Sequence, residues 1–135
     1  MINYQINQII AENDLTKLYN SVGWFAYTNT RVNLMAAVAN SLMVVSAWAD
    51  NQLVGLVRVV GDGETIIFIQ DILVDPKFQS QQVGTELMNR VLNMYQNVRQ
   101  KVLLTEETPD VRHFYEKSGF RSADQGTLVA FYKNF

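Results

Sequence analysis

Thr65-Ile66-Ile67-Phe68-Ile69-Gln70-Asp71-Ile72-Leu73-Val74-Asp75-Pro76 decides the fold, because a β-branched apolar run ends there and a different periodicity takes over. After the Asp-Pro step, Val83, Leu87, Val91, Leu92 and Tyr95 recur on one face of a helix expected to run to about Val98, and a strand follows over 101–105. Strand, helix and strand in succession form a crossover, so the two flanking strands should lie parallel. Upstream, Gly61-Asp62-Gly63 joins the quoted strand to another over 52–60. Asp50-Asn51 joins that one to a third over 42–49, and the three make an antiparallel meander. Further out, residues 2–6 alternate as a short strand. Asn13 or Asp14 is placed to cap a helix carrying Leu15, Leu18 and Tyr19. Residues 21–30 break the pattern, and residues 31–40 return to helical spacing through Leu34, Ala37 and Val38. Downstream, Thr108 caps a helix with Pro109 and Asp110 in its first turn, Lys117 in its last and Gly119 just beyond. Phe120 and residues 127–133 supply the last strand material. The order β-α-α-β-β-β-α-β-α-β implies an α+β (or α/β) fold with a mixed sheet.

The composition bounds what such a fold can do. A chain of 135 residues, 48% hydrophobic, fills one core, and a single domain over 1–135 is expected. With 11 basic and 13 acidic residues the net charge is -2, which suggests neither nucleic acid nor an anionic membrane as partner. No cysteine is present and His113 is the lone histidine, so no thiol nucleophile, disulfide or metal centre is expected. Every apolar run is interrupted before the ~18–20 residues that span a bilayer, and a soluble cytoplasmic protein is the expectation.

Residues 74–85, Val-Asp-Pro-Lys-Phe-Gln-Ser-Gln-Gln-Val-Gly-Thr, carry the first functional signal. A strand-to-helix junction leaves unpaired amides at the helix start, where the macrodipole also favours an anion. The second signal is Phe114-Tyr115-Glu116-Lys117-Ser118-Gly119-Phe120, which resembles the FYxxxGF segment of the GCN5-related N-acetyltransferase (GNAT) superfamily. The junction resembles that superfamily's (Q/R)-x-x-G-x-(G/A) acetyl-CoA motif, with Gln79 and Gly84 at its ends and Gln82 in place of the first glycine. If that position needs positive φ, Gln82 carries ~1–2 kcal/mol of strain.

The resemblance implies acetyl transfer from acetyl-CoA to a primary amine of a small molecule, by direct attack in a ternary complex and without a metal. It implies a sheet that splays after the fourth strand, with pantetheine bonded to the edge near Leu73 and Val74. The pyrophosphate then meets the amides of Gln79, Ser80, Gln81, Gln82, Val83, Gly84 and Thr85. Tyr115 corresponds to the tyrosine that protonates the departing thiolate, and a phenol of pKa ~10 suits that task. The strand over 68–74 looks most like that of glucosamine-6-phosphate N-acetyltransferases, whose acidic pair falls at Gln70 and Asp71.

Gln70 takes no proton, and adjacent strand residues point to opposite faces, so Asp71 does not simply replace it. A base therefore acts through water from Asp71, Glu106 or Glu107, or the amine arrives neutral. Asp71 is equally suited to pair with a buried arginine such as Arg58. The resemblance puts an acceptor lid at residues 23–27, where Trp24 and Tyr27 either plug the core or line a pocket for an apolar or aromatic amine. Arg31 is placed to hold an acidic group of the acceptor. Two other functions fit the same residues: a CoA- or ligand-binding module without turnover, and a protein N-acetyltransferase. A homodimer joined through the apolar run 128–132 is compatible with all three.

Overall fold

The computed structural model describes residues 1–29 and 32–134. Arg31 thus lies outside the described residues. The chain divides into two compact units, Met1–Leu104 and Thr105–Phe135.

The first unit is a sheet with strand order β1-β2-β3-β4-β5, formed by β1 (Ile2–Ile6), β2 (Met43–Ala49), β3 (Gln52–Gly61), β4 (Ile66–Val74) and β5 (Gln100–Val102). The first four pair antiparallel in sequence order, and β5 pairs parallel to β4, as a crossover requires. Its helices are α1 (Glu12–Ser21), α2 (Phe25–Thr28), α3 (Leu34–Ala39) and α4 (Val83–Met94). Leu15, Leu18 and Tyr19 of α1 join Leu34 of α3 in one buried cluster with Val44, Leu56 and Leu73 of the sheet. Gly55, the neighbour of Leu56, faces the other way. A Cβ there would stand 2.9 Å from Val83 and 3.3 Å from Leu87, so the missing side chain lets the first turns of α4 settle on β3. Because alternate strand residues face opposite ways, α1 and α4 cover opposite sides of the sheet.

Several local expectations are corrected. Helix α1 starts at Glu12 after Ala11, with no side-chain cap, so Asn13 and Asp14 lie inside its first turn. The break over 21–30 contains the one-turn helix α2, and α4 stops at Met94 rather than Val98. Strand β5 is confined to Gln100–Val102.

The second unit consists of α5 (Pro109–Lys117) and a short 3-10 turn, Ala123–Gln125. Thr108 caps α5 by accepting the Val111 amide, and Gly119 leaves it at φ 95°. Residues 127–133 form no strand, contrary to expectation, and Leu128, Val129, Phe131 and Tyr132 are exposed. Strand propensity needs a neighbouring edge to bond to, and this unit contains none among its described residues. No helix among the described residues is long and apolar enough to cross a membrane.

Candidate functional site

The site is built around a fault in the β3–β4 ladder. Arg58 pairs with Asp71 and Val59 with Ile69, so Gln70 is the extra residue of a β-bulge. Without it, Asp71 and Ile69 would share a face. With it, Ile69 joins Val59, while Asp71 stands beside Arg58 on the α1 side.

There Asp71, 2% exposed, collects three donors. Its Oδ2 accepts Arg58 Nε at 2.8 Å and the Tyr19 hydroxyl at 2.9 Å, and its Oδ1 accepts the Tyr27 hydroxyl at 2.8 Å. Gln70 is exposed, and its Nε2 donates to the Tyr27 oxygen at 3.1 Å. The expectation that Gln70 and Asp71 point to opposite faces is therefore corrected: the bulge turns both side chains onto one hydroxyl.

Burial sets the electrostatics. It raises the Tyr19 phenol far above the ordinary value, with the Asp71 charge adding to the effect. It raises Tyr27 as well; the Gln70 hydrogen bond opposes this and Asp71 reinforces it. For Arg58, burial pulls downward, but the charge and hydrogen bond of Asp71 prevail and the net shift is upward. Both phenols thus stay protonated at neutral pH and act as donors to a carboxylate.

The aromatic rings form the wall of this site. Tyr19 meets Tyr27 edge-on at 5.3 Å and Trp24 at 6.0 Å. Trp24 and Tyr27 are half-buried and pack on the apolar cluster under α1, so each serves the core and the surface together. A separate apolar pocket of about 380 Å³, lined in part by Ile10, Leu15, Met35, Val38 and Val44, contains none of the expected site residues.

The other half of the site lies at the far end of β4. The last pair with β5 is Phe68 with Val102, so residues 69–74 of β4 have no strand on that side among the described residues. Leu73 and Val74, both buried, lie on this stretch. The chain then makes a 3-10 turn, Pro76–Gln81, capped by Asp75 through the Lys77 amide. Gln79 folds back and donates from Nε2 to the Val74 carbonyl at 3.1 Å, while Ser80 and Gln81 are exposed. Gln82 is left-handed at φ 62°, the conformation a glycine would adopt without strain. The first amide bonded back within α4 is that of Glu86, to the Gln82 carbonyl at 3.0 Å. Helix geometry leaves the amides of Val83, Gly84 and Thr85 without intrahelical acceptors.

In the second unit, Tyr115 packs edge-on against Phe114 at 5.1 Å and Phe120 at 6.1 Å. Burial raises its phenol above the ordinary value, and a hydrogen bond involving Thr105 works against that shift. Glu107 is bound to Arg112 at 2.6 Å, and Glu106 is exposed. Among the described residues no group of three His, Cys, Asp or Glu stands close enough to hold a metal ion.

Two features escaped the sequence. The bulge has no signature in an apolar run, and Tyr19 read as an ordinary member of the helix stripe. A tyrosine among leucines, on a helix facing a strand that carries Asp71, was the available signal.

Residues 25–132 match the family described as Acetyltransferase (GNAT) domain. The chain belongs to the GNAT acetyltransferase family. Among solved structures, a GNAT family acetyltransferase from Streptococcus pneumoniae TIGR4 superposes with a TM-score of 0.89 at 32% identity, covering 100% of this chain and 98% of that one. A curated relative, an uncharacterized N-acetyltransferase of Prochlorococcus marinus, is 30% identical over 88% of this chain and 67% of its own. An aminoglycoside N-acetyltransferase solved in complex with CoA shares the GNAT fold at 15% identity, with a TM-score of 0.72 over 99% of this chain and 95% of that one.

Proposed function

We propose that this GNAT acetyltransferase moves the acetyl group of acetyl-CoA to a primary amine of a small molecule in one ternary complex. The observation that carries the reading is the stretch 69–74 of β4, which among the described residues has no strand on its β5 side and leads through the 3-10 turn Pro76–Gln81 to the amides at the start of α4. A strand edge without a partner offers amide and carbonyl groups to the amide-bearing arm of CoA, and the amides of Val83, Gly84 and Thr85 suit its pyrophosphate. The CoA complex of the aminoglycoside acetyltransferase supports the same use of the fold.

The amine lone pair attacks the thioester carbonyl carbon, the C–S bond breaks, and the thiolate leaves. A backbone amide on the open edge steadies the oxyanion, so no side chain need do so. Tyr115, kept protonated by burial, gives its proton to the thiolate, and the positively charged nitrogen of the tetrahedral intermediate returns one to it through solvent as the neutral amide forms. Asp71 sits behind Tyr27 with its oxygens occupied, so its contribution is to hold Tyr27, and the acceptor enters already neutral. Trp24 and Tyr27 suit an acceptor with an apolar or aromatic body.

The test is thiol release from acetyl-CoA across a panel of small primary amines. Tyr115→Phe should lower kcat by ~10²–10⁴-fold with the KM for acetyl-CoA nearly unchanged. An unchanged kcat, with chemistry rate-limiting, removes Tyr115 from the mechanism. Gln70, an amide where a base would be useful, favours a second reading, a GNAT-fold module that binds CoA or another ligand without turnover. Absence of thiol release with every amine would select it.

A further inference from the structure

The hydrogen bonds around Tyr27 run in one direction only. A carboxylate accepts and never donates, so the single Tyr27 proton is committed to Asp71 Oδ1. The Tyr27 oxygen can then meet Gln70 only by accepting, which requires the Nε2 end of the amide to face it. Exchanging the amide nitrogen and oxygen would set two acceptors against each other. Arg58 Nε and Tyr19 hold Asp71 from the far side, so the carboxylate cannot turn away. The buried chain therefore fixes the orientation of an exposed amide and leaves Gln70 Oε1, which has no partner among the described residues, as an acceptor. Gln70 lies just past the last β5 pair, on the open stretch of β4, bonded to Tyr27, whose half-buried ring stands 6.1 Å from that of Trp24.

We infer that Gln70 is a specificity-determining residue whose amide oxygen, oriented by the Arg58–Asp71–Tyr27 chain, receives an N–H of the acceptor amine. The inference deepens the transfer reading and names the chemistry of the group held at the edge. The group that meets Oε1 must be a hydrogen-bond donor, because an amide oxygen only accepts and the Tyr27 proton is already committed to Asp71. A carbonyl or ether presented to Oε1 and the Tyr27 oxygen meets acceptors there and is left with the second Nε2 hydrogen of Gln70. Tyr27 is a positioning residue in this scheme, acting through Gln70.

Binding separates this inference from catalysis. Benzylamine and acetophenone have similar apolar bodies and opposite hydrogen-bonding character, and their dissociation constants can be read by ligand-observed NMR on the CoA-saturated protein. Wild type should favour benzylamine by about tenfold, the worth of one well-placed hydrogen bond. Gln70→Leu, a change at an exposed position, and Tyr27→Phe should each bring the ratio within about threefold while CoA binding stays intact. Tyr27→Phe alone is at risk of misfolding, and Gln70→Leu gives the result without it. Amine preference in a protein that releases no thiol supports the inference and overturns the transfer reading. Thiol release with equal affinity for the two probes, or with the preference unchanged in Gln70→Leu, overturns the inference and leaves the transfer reading standing.

Discussion

Two aspartates of the β3–β4 hairpin saturate their oxygens in opposite ways. Asp62, at the tip, accepts the amides of Glu64, Thr65 and Ile66 at 2.9, 2.8 and 3.0 Å on Oδ1 and the Thr65 hydroxyl at 2.6 Å on Oδ2. Every donor lies within four residues of it, in the exposed turn. Asp71, in the bulged middle, is 2% exposed, and its donors lie 13, 44 and 52 residues away in sequence. The first arrangement closes a turn; the second ties α1, α2 and β3 to β4 and orients a residue at the open edge. A local carboxylate organises its own neighbours, whereas a buried long-range one transmits position between elements.

The largest test of that contrast removes the buried charge. Asp71→Asn leaves the Arg58 guanidinium, 6% exposed, without its counter-ion, and the expected loss is about 3–5 kcal/mol in urea unfolding. Adding Arg58→Met removes the stranded charge, and the double variant should recover most of the loss. A single-variant loss below about 1 kcal/mol would make Asp71 no more consequential than an exposed turn residue, and the contrast would fail.

The same contrast marks what was legible in the sequence. The meander, the crossover and the caps of α5 follow from periods and turn residues within a few positions of one another, and all of them formed. The junction over 74–85 was equally readable, down to the question of positive φ at Gln82. The bulge was not, because Ile69-Gln70-Asp71 reads as an uninterrupted strand until its partner register is known. Pairing of Asp71 with Arg58 was one of two open readings, but the tyrosines come from helices whose docking no local pattern specifies. The expected strand over 127–133 failed for the same reason, since apolar content says nothing about which edge, if any, lies alongside.

A backbone position of the local kind gives an intermediate effect. Gln82 is exposed, adopts φ 62° and makes no side-chain cap to α4. Left-handed geometry costs an L-residue ~1–2 kcal/mol, and the added freedom of glycine in the unfolded chain cancels part of the relief. Gln82→Gly should therefore raise stability by about 0.5–1 kcal/mol, read as a higher Tm, with CoA affinity equal or better in calorimetry. A loss of either would reveal a contact of the Gln82 side chain and move this turn out of the purely local class.

The smallest effect concerns the hairpin tip and is visible only as a dependence on pH. The Thr65 hydroxyl and the amides of Glu64, Ile66 and Thr65 hold the Asp62 carboxyl well below the usual carboxylate range. With the folded pKa depressed, the unfolded chain binds more protons as pH falls below its own value of ~4, so the contribution of Asp62 is complete above that pH and drains away below it. Asp62→Asn keeps an oxygen for the three amides but does not titrate. The Tm difference between wild type and this variant should hence be constant from pH 7 to about 5 and close progressively as pH drops below ~4. Taking the difference removes groups common to both proteins, Asp124 among them, whose carboxyl is also lowered, chiefly by Ser122 and Arg112. Solvent screens an exposed carboxylate, so the gap should stay small beside the loss at Asp71. A gap that held constant down to pH 3 would mean that folding leaves the proton affinity of Asp62 unchanged, and its four hydrogen bonds would then fix the shape of the turn without favouring the charged form.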